Sequence, residues 1–209
     1  MSLKQLRADP LNACLTNVYR TGPGRDAFNG AGALVEGGPC VIDAKEVQAG
    51  FYDLKAVPTG YTGSDYFYPW LRTGVGFVKV PKNGPDGTIV MTGGVNGCSI
   101  VVNELGSDFY FYHDGDSKFL GTVATVGTGV AKVTPRDYDP FDMGNKAFSA
   151  ALASAAKAKV KPTGDVSYGH FVVAVKVAGR FGFYSTGVMS LNGLAKLPVG
   201  LTTCIVKFG

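Results

Sequence analysis

Cys98-Ser99-Ile100-Val101-Val102-Asn103-Glu104-Leu105-Gly106-Ser107-Asp108-Phe109-Tyr110-Phe111-Tyr112-His113 reads as two strands around a tight turn. β-Branched and aromatic residues flank Leu105-Gly106-Ser107-Asp108, which carries the turn chemistry. Two registers follow from a two-residue turn. With Leu105-Gly106 at the turn, Cys98 lies directly opposite His113. With Gly106-Ser107, the type II′ choice that puts glycine first, the two are diagonal neighbours. Side chains alternate with period two, so either register places thiol and imidazole on one face. Opposite residues hold Cβ atoms ~5 Å apart and diagonal ones ~7 Å, so the two side chains can meet. A three-residue loop with a bulge would break this pairing.

The loop that precedes the hairpin, Met91-Thr92-Gly93-Gly94-Val95-Asn96-Gly97, delivers Cys98 to the strand start. An imidazole beside a thiol can take its proton and make a thiolate nucleophile. Gly93, Gly94 and Gly97 permit close backbone approach, with N–H groups turned toward a developing oxyanion. A third group should orient His113, either the Thr92 hydroxyl or a backbone carbonyl from another loop. The glycines do not form a phosphate cradle, because the loop lacks the P-loop lysine and opens a strand rather than a helix. His170, ahead of Phe171 to Val177, is the rival base and is expected to be an exposed residue at a strand start.

Working outward, Ser2 to Arg20 carries leucines at helical intervals broken by Asp9-Pro10, which predicts one or two short helices. Thr21 to Gly38 is glycine-rich and reads as a loop or very short strands. Pro39 to Asp43 is a short buried strand, and Glu46 to Leu54 is expected to make a helical turn. Tyr61, Tyr66, Phe67, Tyr68 and Trp70 form an aromatic, surface-wrapping loop. Val75 to Val80 and Thr88 to Thr92 are strands around the turn-rich Pro81 to Gly87. Gly121 to Val133 has strand-like spacing. Asn145 to Val160 is the clearest helix, with Asp142 placed to cap it and Pro162 to stop it. Phe171 to Val177 and Arg180 to Tyr184 make a hairpin, and Leu201 to Phe208 a closing strand. The expected fold class is α+β: mostly antiparallel β-sheets with a sandwich-like core and a few peripheral helices, residues 1–209 forming a single domain.

Composition narrows the chemistry. With 45% apolar and 17% charged residues, the 209-residue chain is a folded protein rather than a disordered tail. Its net charge of +4 comes from scattered Lys and Arg without a basic stripe, which argues against nucleic-acid binding. No apolar run is long enough for a membrane span, and no Sec-type signal opens the chain. Cys14, Cys40, Cys98 and Cys204 lack Cys-x-x-Cys spacing and only two histidines are present, so neither a metal site nor a cofactor is expected. Cys14, Cys40 and Cys204 sit in apolar runs and read as core residues. Asp108, Asp114 and Asp116 do not match a calcium loop and read as solvated turn residues.

At the cysteine loop the chain resembles the cysteine-histidine protein glutamine deamidases. This group includes the cytotoxic necrotizing factor catalytic domains, the Burkholderia lethal factor type and the chemoreceptor deamidases. The resemblance covers about residues 88 to 115. It rests on Val95-Asn96-Gly97-Cys98 (hydrophobic, small polar, Gly, Cys) and on a histidine, His113, at the end of the next strand, followed by Asp114-Gly115. Toxin members commonly have serine where this chain has Asn96. Thr92, six residues before the cysteine, occupies the place of the threonine that assists the histidine in the lethal-factor and chemoreceptor types. The resemblance implies a Cys98 thioester mechanism on a protein glutamine, with His113 as base and then acid, Thr92 or a carbonyl orienting it, the loop near Asn96 and Gly97 holding the oxyanion, and Tyr66, Tyr68 and Trp70 on the rim of the substrate pocket. It further implies a soluble, monomeric toxin or effector, secreted or delivered into a host cell, whose partner is a protein substrate, a host GTPase or another host protein. Two other classes stay open on the residues alone. One is a cysteine peptidase or amidase using Cys98 with His113 or His170; the other is a non-enzymatic, secreted β-rich interaction module.

Overall fold

The computed structural model describes residues 2–23, 32–59, 63–162, 166–200 and 204–206. Two short helices, α1 (Ser2–Ala8) and α2 (Pro10–Thr16), open the chain. The strands follow: β1 (Val18–Pro23), β2 (Leu34–Glu36), β3 (Gly38–Gln48), β4 (Phe51–Pro58), β5 (Asp65–Phe67), β6 (Val75–Pro81), β7 (Ile89–Met91), β8 (Ser99–Leu105), β9 (Asp108–Asp114) and β10 (Thr128–Val133). Helices α3 (Pro135–Tyr138) and α4 (Met143–Lys157) precede β11 (Ser167–Val177), β12 (Arg180–Ser190), β13 (Leu194–Lys196) and β14 (Cys204–Val206). The larger sheet runs β1-β4-β3-β5-β7-β11-β12-β13, with β14 also on β12, and the smaller runs β10-β8-β9-β6-β2. Only β1 with β4, β2 with β6 and β5 with β7 are parallel among the described pairs. The fold class is α+β, as the strand and helix pattern of the sequence indicates.

The two sheets pack face to face. Val172, Ala174, Phe181 and Phe183 of the larger sheet meet Val78, Val80, Ile100, Val102, Phe109 and Phe111 of the smaller. Phe111 stands edge-on to Phe181 and Phe183, at 5.6 and 6.1 Å between centroids, the arrangement that aromatic quadrupoles favour. The other face of the larger sheet buries Ile89, Met91, Val173 and Val175 beneath Leu6, Ala13 and Cys14 of the N-terminal helices. β11 is therefore covered on both faces, which explains its unbroken apolar run. Arg7 ties α1 down: its guanidinium grips Asp65 through both nitrogens, at 2.7 and 2.5 Å.

Several segments depart from the sequence expectation. Glu46 to Leu54 is not a helical turn but the end of the β3–β4 hairpin, which reverses at Ala49-Gly50 with Gly50 at φ 76°. Pairing along β3 and inward alternation of Leu54 and Ala56 outweigh the helix-forming Glu, Gln and Ala. Within Thr21 to Gly38, expected as a loop or very short strands, Thr21 lies in β1 and Leu34–Glu36 form the very short β2, while Gly121 to Val133 yields a strand only from Thr128. Asp142 precedes α4 at φ 60°, yet its carboxylate accepts from the Asn145 side chain, while Asp139 takes the Gly144 amide at 2.6 Å. Tyr61 lies outside the described residues, as does most of Leu201 to Phe208 apart from β14 and including the Cys204 side chain.

Segment 68–70 crosses the smaller sheet where β6 carries Gly76, the partner of His113 across β9. A Cβ on Gly76 would lie 1.8 Å from the Pro69 carbonyl oxygen, so a missing side chain lets that backbone rest on the strand. Gly76→Ala is expected to lower unfolding stability by about 2 kcal/mol through overpacking. Urea unfolding of the two proteins measures it.

Candidate active site

The turn between β8 and β9 settles the register. Leu105 pairs with Asp108, and Gly106 alone has positive φ, 59°, as a type II′ turn at Gly106-Ser107 requires. Ile100 is opposite His113, so Cys98, two residues earlier, is the diagonal neighbour of His113 on the inner face. Thr92 follows β7 of the larger sheet, and His113 stands on the smaller one. A hydrogen bond of 2.7 Å between Thr92 Oγ1 and His113 Nδ1 joins the sheets at this end. Thr21 fixes Thr92 in turn, its hydroxyl donating to the Thr92 carbonyl. Of the two orienting groups left open by the sequence, the structure places the threonine hydroxyl on the imidazole.

The cysteine loop is built from backbone geometry. Cys98 N–H donates to the Val95 carbonyl at 2.8 Å, closing a β-turn whose third residue, Gly97, has φ 78°. A type II turn needs that left-handed conformation, which gives the Gly-Cys order its physical reason. Asn96 turns its amide outward to β11. Its Oδ1 accepts from the His170 backbone N–H at 2.8 Å, and its Nδ2 donates to the Tyr168 carbonyl at 3.1 Å. A serine hydroxyl could not span both partners, so Asn96 acts as a clamp on the larger sheet. Tyr138 holds the loop from below, with its hydroxyl against the carbonyls of Val95 and, at 3.1 Å, Cys98.

Cys98 and His113 are both buried, at 2% and 0% exposure. The thiol donates to the Asn96 carbonyl at 3.7 Å, and His113 Nε2 has no hydrogen-bond partner, so the two are not bonded to each other here. Burial pushes the Cys98 pKa up; the backbone amide of Asp116 and the Trp70 side chain oppose it, and the carboxylates of Asp116 and Asp114 add to it. Burial pushes His113 down to about 3. The resting pair is therefore neutral thiol and neutral imidazole. Asp116 and the following Ser117 both adopt left-handed backbone, at φ 49° and 57°, uncommon for non-glycine residues. Ser117 anchors this turn to the cysteine loop through Gly97 O at 2.9 Å and Ser99 Oγ at 2.6 Å. Asp114 is buried and caps the amides of Phe119 and Leu120 at 2.7 and 3.0 Å, rather than being a solvated turn residue.

The rim expectation divides. Tyr68, at 1% exposure, packs between the sheets with its ring edge-on to His113, and so is a wall rather than a rim residue. Tyr66 is half-buried in β5. Trp70 is 50% exposed, and its side chain favours the Cys98 thiolate. His170 is buried under α4, contrary to the exposed strand start expected of it, because Gly144 packs on its ring. It lines a cleft of about 700 Å³ together with Asn96, Gly97, Tyr138, Phe141 and Tyr168. Tyr138, the Asp116 amide and this cleft have no signal in local sequence patterns. Among the described residues, no group of His, Cys, Asp and Glu is arranged to hold a metal, and no helix is long and apolar enough to cross a membrane.

No protein-family model matches the sequence, and no curated protein matches it at a significant level. Among solved structures, the chain is weakly similar to the C-terminal domain of CNFy from Yersinia pseudotuberculosis, with a TM-score of 0.25 and 11% identity. The similarity covers 68% of this chain and 66% of that one, just under two thirds of its length.

Two predictions concern this site. The Tyr138→Phe variant leaves the Val95 and Cys98 carbonyls short of a donor and is expected to lose about 1–2 kcal/mol, measured by denaturant unfolding. His113 binds its proton far more weakly folded than unfolded, so its contribution to stability is complete above its ordinary pKa and is lost as pH falls toward 3. Between pH 7 and pH 4 that loss is roughly 3 kcal/mol. Burial of His170 acts with the same sign. The His113 part is the difference between the pH profiles of wild type and His113→Gln, which should be the flatter.

Proposed function

We propose that the protein is a protein-glutamine deamidase in which Cys98 is the nucleophile and His113 the base. The observation that carries this reading is the Thr92–His113 hydrogen bond, which uses Nδ1 and leaves Nε2 unengaged on the face shared with Cys98. With Nδ1–H donating to Thr92 Oγ1, the Nε2 lone pair is the free base. The thiol proton passes to Nε2 as Sγ attacks the substrate carboxamide carbon. The Asp116 amide and the Trp70 side chain, both of which favour the thiolate, are proposed to donate to the developing oxyanion. Collapse of the tetrahedral species expels ammonia, which takes the proton from the imidazolium. Water then adds to the thioester, releasing glutamate and restoring the thiol.

Because both residues are buried and neutral, no ion pair waits in the free protein. The substrate carboxamide is proposed to reach the buried thiol by moving the half-exposed Trp70 aside. The proposed substrate is a protein of a host cell into which this chain is delivered. A GTPase whose water-orienting glutamine becomes glutamate would lose hydrolysis. A second reading, an amidase or peptidase pairing Cys98 with His170, is favoured by the position of His170 on the cleft. It predicts peptide-bond cleavage in place of ammonia release.

Incubation with host-cell lysate, read by ammonia release and glutamine-to-glutamate mass shifts, tests both. Cys98→Ser is expected to abolish conversion and His113→Ala to slow it by at least ~100-fold. Thr92→Val should cost about tenfold, since the base remains but its tautomer is no longer fixed. His170→Ala should stay within a few-fold of wild type. Activity retained by Cys98→Ser sinks both enzyme readings, and activity lost in His170→Ala but kept in His113→Ala transfers the base to His170.

A further inference from the structure

We propose that the cleft beside the cysteine loop selects substrates with a cationic side chain, Lys or Arg, close to the target glutamine; this specificity rests on the deamidase reading. The cleft, about 700 Å³, is walled by Asn96 and Gly97, the two residues before Cys98. Cys98 itself is not on the lining, so the cleft reads residues beside the target glutamine rather than the glutamine itself. Its inner wall is His170, whose side chain is 1% exposed and whose Nε2 has no partner. Nδ1 lies 3.3 Å from Asn96 Oδ1, an oxygen that only accepts, so the ring proton is on Nδ1 and Nε2 is an acceptor. Asp139 Oδ1 stands 3.9 Å from Nε2. Asp139 Oδ1 also accepts the Gly144 amide, and with its remaining lone pair it and Nε2 form two acceptors that one ammonium or guanidinium N–H group can bridge.

Gly144 borders this point: a Cβ there would lie 2.5 Å from Nε2 and 3.3 Å from Asp139 Oδ1. Asp142 adds a second carboxylate on the lining against the single cation of Arg136, a negative pole on a chain whose net charge is +4. The rim is also strained. Phe141 and Asp142 adopt successive left-handed conformations, at φ 56° and 60°, and Phe141 is 86% exposed. Non-glycine residues held in that region over an exposed aromatic ring mark a built feature rather than a relaxed turn. The ring offers the incoming cation a π face.

The test uses the full chain carrying Cys98→Ser and fluorescence anisotropy with labelled peptides identical except for Lys or Glu beside one glutamine. The Lys peptide is expected to bind about tenfold more tightly. Asp142→Asn should narrow that preference and Asp142→Lys reverse it, while Asp139→Asn, which keeps an acceptor for the Gly144 amide, should also narrow it. Equal binding of the two peptides, or a preference untouched by all three substitutions, overturns the proposal. Conversion of glutamine by wild type with no preference for Lys overturns the cleft assignment alone. Selective binding without conversion overturns the deamidase reading alone.

Discussion

The register of β8 against β9 is the constraint on which the rest of this molecule depends. A slip of one residue would turn Cys98, Ile100 and Val102 to solvent and bring Ser99, Val101 and Asn103 against the larger sheet. The Gly106-Ser107 turn prevents it at one end, and Phe111 wedged against Phe181 and Phe183 prevents it in the middle. At the far end the Thr92–His113 hydrogen bond does the same between sheets. Core packing and the geometry of the candidate site are thus consequences of one alignment.

Around that alignment the molecule gathers features that cost stability. His113 is kept neutral in the core with one ring nitrogen unsatisfied, and Asp116 and Ser117 sit in left-handed backbone beside the cysteine loop. A buried polar atom without a partner costs on the order of 1–3 kcal/mol. Apolar residues of the same size would relieve these costs. Their concentration within one end of the sandwich, where Tyr138, Asn96 and Ser117 converge on four residues of loop, is the physical signature of a site rather than of a fold optimised for stability alone.

What could be read from the sequence was local. Counting across the turn put Cys98 and His113 on one face in either two-residue register, of which the structure has the diagonal one, and the β11–β12 hairpin followed from Ala178-Gly179. Glu46 to Leu54 was misread because its residues favour helix in isolation, while the partner strand that decides the matter is supplied by pairing. Tyr68 was misplaced at a rim because nothing in Tyr-Phe-Tyr-Pro-Trp signals that Gly37 and Gly76 let the backbone of residues 67–69 press onto their strands. The roles of Asn96 and Tyr138 depend on contacts 74 and 40 residues away, respectively, and no periodicity encodes those.

The central claim, that Cys98 is a glutamine-directed nucleophile driven by His113, is tested most directly by covalent capture. A protein-derived peptide whose glutamine carboxamide is replaced by a diazoketone alkylates a thiolate formed at the carboxamide position, and peptide mapping by mass spectrometry locates the adduct. The account predicts an adduct on Cys98 and none on the buried Cys14 or Cys40, with capture slowed at least ~100-fold in His113→Ala. An unmodified Cys98, or capture at the same rate without His113, would contradict it.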